Sequence, residues 1–454
     1  MLKGELIVDL MWRLYFFKAH KISFGRTLGF LRKSQYWARE TLQQYQVAEL
    51  NKLLALARAN SPFYREYYHK HKSVLQNPCD MAQFPFVTKD AIRTNADLMR
   101  SINVAHRSFE HVTSGSTGDP LVVHISPAAE AFRIAGKYRF YEWWNVRPHD
   151  RSILVWAKKA TDSHGGNIAS RIKRAIRANS IERRLFVNVF DLSSSSIREY
   201  YEKAVRYKPV YIYGYQSGVT QFAELLIDAG LDPSALNLKL VVVTSEVLQE
   251  ETRQFLRNAF RCPVANEYGS AEAGLFAFDC PHGSMHIFEE GVFLSSLENG
   301  GMVVTEIHNS TMPLINYINN DMVTISDDLC GCGRTSRLIT QVNGRASDHA
   351  LTISGDKVSQ YLFYYAVKEL NDIGLSNAIR KYKVIQRGRT LDFFLIKGMR
   401  YDDRALAYLS ERVKKALGYE MDVRFHFVDE IEREKSGKLR FFVQETPSHT
   451  GIER

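Results

Sequence analysis

From about residue 110 to 340 the chain alternates short apolar runs with longer stretches in which apolar and polar positions mix at helical spacing. Ser152–Trp156, Val210–Tyr213, Leu240–Val243 and Met302–Ile307 predict strands, and Ile197–Val205, Ser217–Ala229 and Gln249–Ala259 predict helices between them. Strand and helix in alternation predict an α/β core with a largely parallel, buried sheet. Residues 1 to about 95 read as a mainly helical lead-in. Within it Gln35–Ala59 is free of Gly and Pro and carries Leu42, Ala48, Leu50, Leu53, Leu54 and Leu56 at broadly helical spacing, so one continuous helix is expected there. Pro62, Pro78 and Pro85 then punctuate the chain. Beyond Gly344 the texture changes. Lys381–Gln386, Thr390–Lys397 and Asp422–Val428 read as strands, and Gln360–Leu370 and Asp403–Ala416 as helices, which together make a compact α+β unit. Two domains are expected, 1–343 and 344–454.

Length agrees with that division, since 454 residues exceed one ordinary core. Apolar residues at 45% and charged residues at 24% exclude a disordered or fibrous chain. The net charge of +10 raises the question of a polyanionic partner. Lys and Arg are scattered without a run of five, and no standard nucleic-acid signature is present, so a basic surface around a phosphate-using site is the simpler reading and no nucleic acid is expected. The apolar stretch Leu6–Phe17 is interrupted by Asp9 and Arg13 and no small-residue cleavage site follows it, so neither a secretion signal nor a spanning helix is expected. Five cysteines without such a signal suit a reducing cytoplasm. Met11–Lys33 pairs Trp12, Leu14, Phe16 and Phe17 with Arg13, Lys18, Lys21, Arg26, Arg32 and Lys33. Such a helix suits peripheral contact with the inner membrane, or packing on its own domain, and the second is the plainer expectation.

The strongest local signal is Thr113-Ser114-Gly115-Ser116-Thr117-Gly118-Asp119-Pro120. Hydroxyls and glycines in one run supply side-chain donors, exposed backbone N–H groups and freedom at φ > 0, which suits a loop that wraps a polyphosphate. The Gly-Lys-Ser/Thr ending of a Walker A loop is missing. Thr244-Ser245-Glu246 ends the apolar run that starts at Leu240, where ligands sit in open α/β sheets. Tyr268 offers a flat ring for stacking and Glu272 a hard oxygen ligand for magnesium. Cys330-Gly331-Cys332 is a tight thiol pair on a glycine-rich turn, and with Cys280 and His286 it makes the Cys₃His set of a closed structural zinc site. Cys79 and Cys262 read as ordinary thiols.

The 113–120 loop, Tyr268-Gly269-Ser270-Ala271-Glu272-Ala273-Gly274, Asp321, Gly344-Arg345-Ala346-Ser347-Asp348 and Gly437-Lys438 follow one another in an order that resembles the motif set of the adenylate-forming superfamily. Within it the chain is similar to the phenylacetate–CoA ligase branch, above all its members associated with capsular polysaccharide biosynthesis, over roughly residues 50 to 445. The resemblance implies a large N-terminal adenylate-forming domain and a small mobile C-terminal lid. It implies ATP and magnesium as co-reactants and an acyl-AMP formed from a carboxylic acid with release of pyrophosphate. The acyl group then passes to coenzyme A or, alternatively, to an amine of surface-polysaccharide or secondary-metabolite assembly.

It also implies roles. The 113–118 residues would hold phosphates, with Ser245, Glu246, Tyr268, Gly269 and Ser270 around the adenine. Asp321 would accept from the ribose hydroxyls and Arg345 would contact the nucleotide. Asp348 would be the hinge and Lys438 the catalytic lysine. Similar Cys/His placements in that branch favour His286 over His282 as zinc ligand. One stretch departs from the family pattern: Asn316 and Asn320-Asp321 stand where members usually carry Arg and a Gly-Asp ending. Tyr213–Ser217 and the segment around Trp143-Trp144 are candidates for the acyl pocket. A kinase would release ADP instead of pyrophosphate, so the product separates the two chemistries.

Overall fold

The computed structural model describes residues 24–71, 73–103, 108–112, 121–157, 183–345, 349–434 and 436–445. The chain divides into two compact units, Met1–Val342 and Asn343–Arg454. The larger begins with helices α1 (Phe24–Ser34), α2 (Arg39–Asn60), α3 (Pro62–Tyr67) and α4 (Lys89–Met99). A hairpin of β1 (Phe109–Val112) and β2 (Val122–Ile125) follows, then α5 (Pro127–Glu142), β3 (Ser152–Trp156) and β4 (Arg184–Asn188). Next come α6 (Ile197–Tyr207), β5 (Tyr211–Tyr215), α7 (Gln216–Asp228), β6 (Leu240–Thr244), α8 (Glu250–Phe260) and β7 (Val264–Ser270). The unit closes with β8 (Gly274–Asp279), β9 (Met285–Ile287), β10 (Val292–Ser296), β11 (Gly301–Glu306), β12 (Tyr317–Ser326) and β13 (Leu338–Arg345).

One 11-stranded sheet organises this unit, in the order β10-β11-β12-β13-β9-β8-β7-β6-β5-β3-β4. From β4 to β7 every neighbour is parallel, and β8 and β9 add antiparallel strands beyond β7. The parallel half follows from strands built on unbroken apolar runs, such as Ile153–Trp156, Leu185–Val187 and Leu240–Val243. In β6 Leu240 and Val242 face one core with α1, α2 and α5, while Val241 and Val243 face another with α6, α7 and α8. Successive side chains of a strand point to opposite faces, so only an unbroken apolar run fills both layers. Each such side chain removed from water contributes on the order of 1.5–3 kcal/mol. Because β4 lies on one side of β3 and β5 on the other, a crevice opens beyond the carboxyl ends of β3 and β5, which is where open α/β sheets bind ligands.

The expected single helix over Gln35–Ala59 is broken. Gln35–Trp37 form a turn, with Trp37 N bonded to Ser34 O at 3.0 Å, and α2 starts at Arg39. The aromatic rings decide this against helix propensity: Trp37 packs edge-on to Phe30 at 5.4 Å and to Tyr45 at 5.9 Å, and Thr335 donates to its carbonyl. Helix α1 packs on its own unit. Its buried Phe24 meets Tyr138 of α5 at 4.8 Å, and Arg32 pairs with Glu142 at the far end of the same helix. Residues 11–23 of the amphipathic segment lie outside the described residues. No helix among the described residues is long and apolar enough to cross a membrane.

The smaller unit carries β14 (His349–Leu351), β15 (Lys357–Ser359), α9 (Tyr361–Lys368), β16 (Ile379–Arg387), β17 (Thr390–Lys397), α10 (Arg404–Leu417), β18 (Asp422–Phe427) and β19 (Phe442–Glu445). Its four-stranded sheet has the order β18-β17-β16-β19, with an antiparallel central pair and parallel outer pairings. Phe363 and Ala366 of α9, Leu409 and Val413 of α10, and Leu391, Phe393 and Leu395 of β17 form its core. This is an α+β arrangement.

Candidate active site

The parallel strands deliver a row of polar residues at their carboxyl ends. Immediately after β6, Ser245 sits at φ 70°, a left-handed conformation uncommon for a residue with a side chain. That bend turns Glu246 back over the start of α7, where its carboxylate accepts from Ser217 N at 2.6 Å and Ser217 Oγ at 2.9 Å. A carboxylate on unpaired N–H groups at a helix start is favourable, so Glu246 fixes the α7 entrance as well as standing at the strand end.

Tyr268, in β7, donates to Asp321 Oδ2 at 2.8 Å, and Asn319 Nδ2 donates to the same oxygen at 2.8 Å. The ring packs edge-on against Phe276 at 5.4 Å, which fixes its plane. Asp321, on β12, and Tyr268 are 53 residues apart, and the sheet brings them together. Gly269 is required where it stands, since a Cβ there would lie 2.4 Å from Gly274 O across the β7–β8 turn. Ser270 Oγ accepts from Ala273 N at 3.1 Å and closes that turn. Glu272 projects from it, 8% exposed, accepting at Oε1 from Tyr317 OH at 3.1 Å. Arg133 of α5 anchors the same turn by donating to Glu272 O at 3.0 Å and Glu306 Oε1 at 2.7 Å.

Asn316, at the departure from the family pattern, is a structural tie. It is 1% exposed, and its amide donates to Met81 O at 2.7 Å and Phe84 O at 3.1 Å. Those bonds pin the Pro78–Gln83 segment to the start of β12. The phosphate-loop candidates Thr113, Ser114, Gly115, Ser116, Thr117 and Gly118, and the hinge candidate Asp348, lie outside the described residues. Arg345 ends β13.

In the smaller unit Lys438 sits on a tight turn. Glu434 N donates to Lys438 O at 3.0 Å, Gly437 N donates to Glu434 O at 2.8 Å, and Gly437 takes φ 83°, open to glycine without strain. Arg433 Nη1 also donates to Gly437 O at 2.9 Å. A lysine is thereby presented from a backbone of fixed shape.

The Cys/His set converges. The ligand atoms of Cys280, His286, Cys330 and Cys332 all lie within 4.8 Å of one another. Cys280 Sγ is 3.7 Å from Cys330 Sγ, and Cys332 Sγ is 3.2 Å from His286 Nε2. A tetrahedral zinc, with bonds of about 2.3 Å to sulfur and about 2.0 Å to nitrogen, sets its ligands roughly 3.5–3.8 Å apart, so these donors fit one ion. His286 Nδ1 lies 3.1 Å from Ser336 Oγ, an orienting contact typical of metal-bound imidazoles. Burial first, then Arg334, Arg139 and Arg39, push the His286 pKa down to about 4, which keeps the ring in its neutral, ligating form. The same arginines suit three thiolates and a dication, which together carry one net negative charge.

Trp143 and Trp144, candidates for the acyl pocket, pack beside this cluster. Trp143 meets the His286 ring edge-on at 5.6 Å and carries Arg334 over its face at 4.0 Å, while Trp144 Nε1 donates to Asp279 O at 3.0 Å.

Residues 351–445 match the family model of the CapK C-terminal domain. Over 395 residues the chain is 23% identical to Protein CapK of Staphylococcus aureus, covering 85% of each. It is 24% identical over 339 residues to the phenylacetate-coenzyme A ligase of Pseudomonas putida, covering 70% of this chain and 74% of that one. These matches support the adenylate-forming superfamily. Within it the similarity is to CapK and the phenylacetate–CoA ligases, which supports an AMP-forming ligase. Its fold is similar to that of 2-hydroxyisobutyryl-CoA ligase, with a TM-score of 0.69 at 17% identity over 91% of this chain and 93% of that one, to a structure described as the postadenylation state in complex with R3-HIB-AMP. The family resemblance carried by the ordered motifs, and the α/β-plus-α+β architecture, agree with these matches.

Sequence reading missed a second polar group in this adenylate-forming fold. Lys137 of α5 and Glu267 of β7 form an ion pair at 3.2 Å, and Tyr213 donates to Glu267 at 2.7 Å. A glutamate directly before Tyr268, within a strand of the central sheet, is the signal that could have found it.

Proposed function

We propose that this chain activates a carboxylic acid with ATP and then transfers the acyl group to an acceptor, coenzyme A in the leading reading. The observation that carries it is the Tyr268–Asp321 pair at 2.8 Å beside Glu272, on the carboxyl-end side of a parallel sheet in an adenylate-forming fold. In the first step a carboxylate oxygen attacks the α-phosphorus of ATP, the bond from that phosphorus to the α,β-bridging oxygen breaks, and pyrophosphate leaves with its electron pair. In the second, the acceptor's nucleophile adds to the acyl carbonyl and AMP departs. Tyr268 gives the adenine a flat face, Asp321 accepts from the ribose hydroxyls, and the 113–118 hydroxyls and amides hold the phosphates. Magnesium would neutralise the departing pyrophosphate, with Glu272 as its protein oxygen ligand. Lys438 supplies positive charge to the pentavalent transition state.

An amine acceptor of surface-polysaccharide assembly is the second reading. It is favoured by the match of residues 351–445 to CapK's C-terminal domain. The test is ATP–pyrophosphate exchange across a panel of carboxylic acids, followed by acyl transfer with coenzyme A or with amines. Acid-dependent exchange supports the reading, and the acceptor that accelerates AMP release chooses between its two forms. Acid-independent ADP formation would overturn it.

The ribose role of Asp321 gives a separate expectation. Hydrogen bonds to a charged group contribute about 1.5–3 kcal/mol, so Asp321→Ala should weaken ATP binding roughly 10- to 100-fold. Calorimetric titration of ATP measures it, and a change below about twofold would remove Asp321 from the nucleotide contact.

A further inference from the structure

The β1–β2 hairpin is a two-stranded sheet, and among the described residues no backbone ladder joins it to the 11-stranded one. A lone hairpin is marginal by itself, so packing and side-chain ties set where it sits. Its placement matters because residues 113–118, the phosphate-loop candidates, stand between its strands in sequence.

Side chains grip the hairpin from both strands. On β2, Asn309 Nδ2 donates to His124 O at 3.1 Å. On β1, Arg133 Nη1 donates to His111 Nδ1 at 3.4 Å. Burial first, and then Arg133, push the His111 pKa down to about 4, so the neutral ring accepts at Nδ1. Its Nε2 then carries the proton and lies 3.7 Å from Glu130 Oε2.

Arg133 spends its three guanidinium nitrogens on three different elements. Nε donates to Glu306 Oε1 of β11 at 2.7 Å, Nη2 donates to Glu272 O of the β7–β8 turn at 3.0 Å, and Nη1 donates to His111 of β1. The side chain is 12% exposed and that of Glu306 3%, so the ion pair is shielded from water. A planar guanidinium held by a buried carboxylate aims its remaining nitrogens in fixed directions. The fit at the turn is close. Gly274 takes φ 81°, and a Cβ there would stand 2.6 Å from Arg133 Nε.

We propose that Arg133 is a positioning residue for adenylation, fixing the hairpin that leads into residues 113–118 against the turn that carries Glu272. This rests on the ligase reading above. Both pieces carry groups that must be in place when the α-phosphorus is attacked, and a displacement of about 1 Å at a remote support costs on the order of 100-fold. Lysine at this position would keep the charge beside Glu306. Its ammonium is a point charge on a flexible stem and cannot address three elements in one plane.

The experiment measures single-turnover acyl-AMP formation with the acid that gives the fastest ATP–pyrophosphate exchange in the panel above, and acyl transfer from the same acyl-AMP supplied directly. Arg253→Lys is the control. Arg253 likewise ties a helix to two strands, through Asp279 Oδ2 at 2.8 Å and Val264 O at 2.9 Å, but at the other end of β7 and β8. Arg133→Lys should slow adenylation on the order of 100-fold, with ATP affinity and acyl transfer within about threefold of wild type. Arg253→Lys should lower the melting midpoint and keep the ratio of the two half-reactions within about threefold. His111→Ala removes one tie at a half-buried residue and should slow adenylation about 10-fold. Added to Arg133→Lys it should cost less than about twofold more, because that tie is already gone.

Adenylation by folded Arg133→Lys within about fivefold of wild type, or an equal loss in both half-reactions, would overturn the proposal and leave the ligase reading standing. A double variant slowed by the full product of the two single losses would overturn the tie through His111. Where Arg133→Lys does not fold, His111→Ala decides: a loss confined to adenylation supports the proposal, and rates within about threefold overturn it. Exchange with no acid of the panel would overturn the ligase reading and this inference with it.

Discussion

Replacing Lys438 with alanine is expected to lower the rate of acyl-AMP formation by about 1,000-fold or more, with ATP affinity unchanged within about threefold. The argument starts from the chemistry. As the carboxylate attacks the α-phosphorus, charge spreads over the equatorial oxygens and accumulates on the departing pyrophosphate, and a cation present only in that state lowers the barrier without tightening the ground state. Removing one such contact costs about 3–4 kcal/mol. The structure supports a positioned lysine, because Gly437 at φ 83° and the Glu434–Lys438 backbone bond at 3.0 Å hold the turn that carries it. Arg433 and Arg440 brace the same turn through Gly437 O and Glu434. Acyl transfer from supplied acyl-AMP to the acceptor does not need this charge at phosphorus. That half-reaction should keep most of its rate in Lys438→Ala, which separates lost chemistry from lost folding. Adenylation within about twofold of wild type, too little for a lost charge contact, would sink the role.

The sequence was informative where one physical requirement dominated. The run Leu240–Val243 has to be a strand buried on both faces, because its residues divide between two cores. The cysteine and histidine spacing was equally legible, since a metal site needs few residues of few types. It was illegible where distant charges meet. Arg139 and Lys137 look like ordinary surface charges of a helix, yet Arg139 is 3% exposed and pairs with Glu290, and Lys137 pairs with Glu267. Each partner lies more than 120 residues away in sequence, so no local pattern announces it. The break at Gln35–Trp37 escaped for the same reason, as it is set by tertiary packing of Trp37 and not by its neighbours in sequence. Asn316 shows the converse. A departure from a family pattern reads as altered chemistry, whereas its amide is spent on Met81 and Phe84 carbonyls. The strands β14, β15 and β19 are three or four residues long, too short for alternation to stand out.

Purified protein is expected to carry one zinc ion per chain, held by Cys280, His286, Cys330 and Cys332, and its loss should cost stability before it costs nucleotide binding. The four residues tie together two pieces that are distant in sequence, the β8–β9 connection with β9 and the loop between β12 and β13. Strand β9 is three residues long and pairs with β8 and β13, so on its own it has few hydrogen bonds to hold it in the centre of the sheet. Without metal, Cys280 is a thiol whose pKa burial pushes up to about 12, and three close sulfur atoms and an imidazole would be left as poor mutual partners. Structural zinc contributes on the order of 10 kcal/mol in small domains, and if a third to a half of that reaches this larger unit the melting midpoint should fall by roughly 5–10 °C. Cys280→Ser and Cys332→Ser should each reproduce most of that fall, because a closed tetrahedral site loses its charge balance with one thiolate. The nucleotide-side residues are tied elsewhere, Tyr268 and Asn319 to Asp321 and Tyr317 to Glu272, so ATP affinity of the folded variants should stay within about threefold. The measurements are elemental analysis of the chelator-washed protein, thermal melting with and without a strong chelator, and ATP titration. Folded, chelator-washed protein that contains no zinc and melts where the untreated protein does would remove the metal from the account of how this sheet is held.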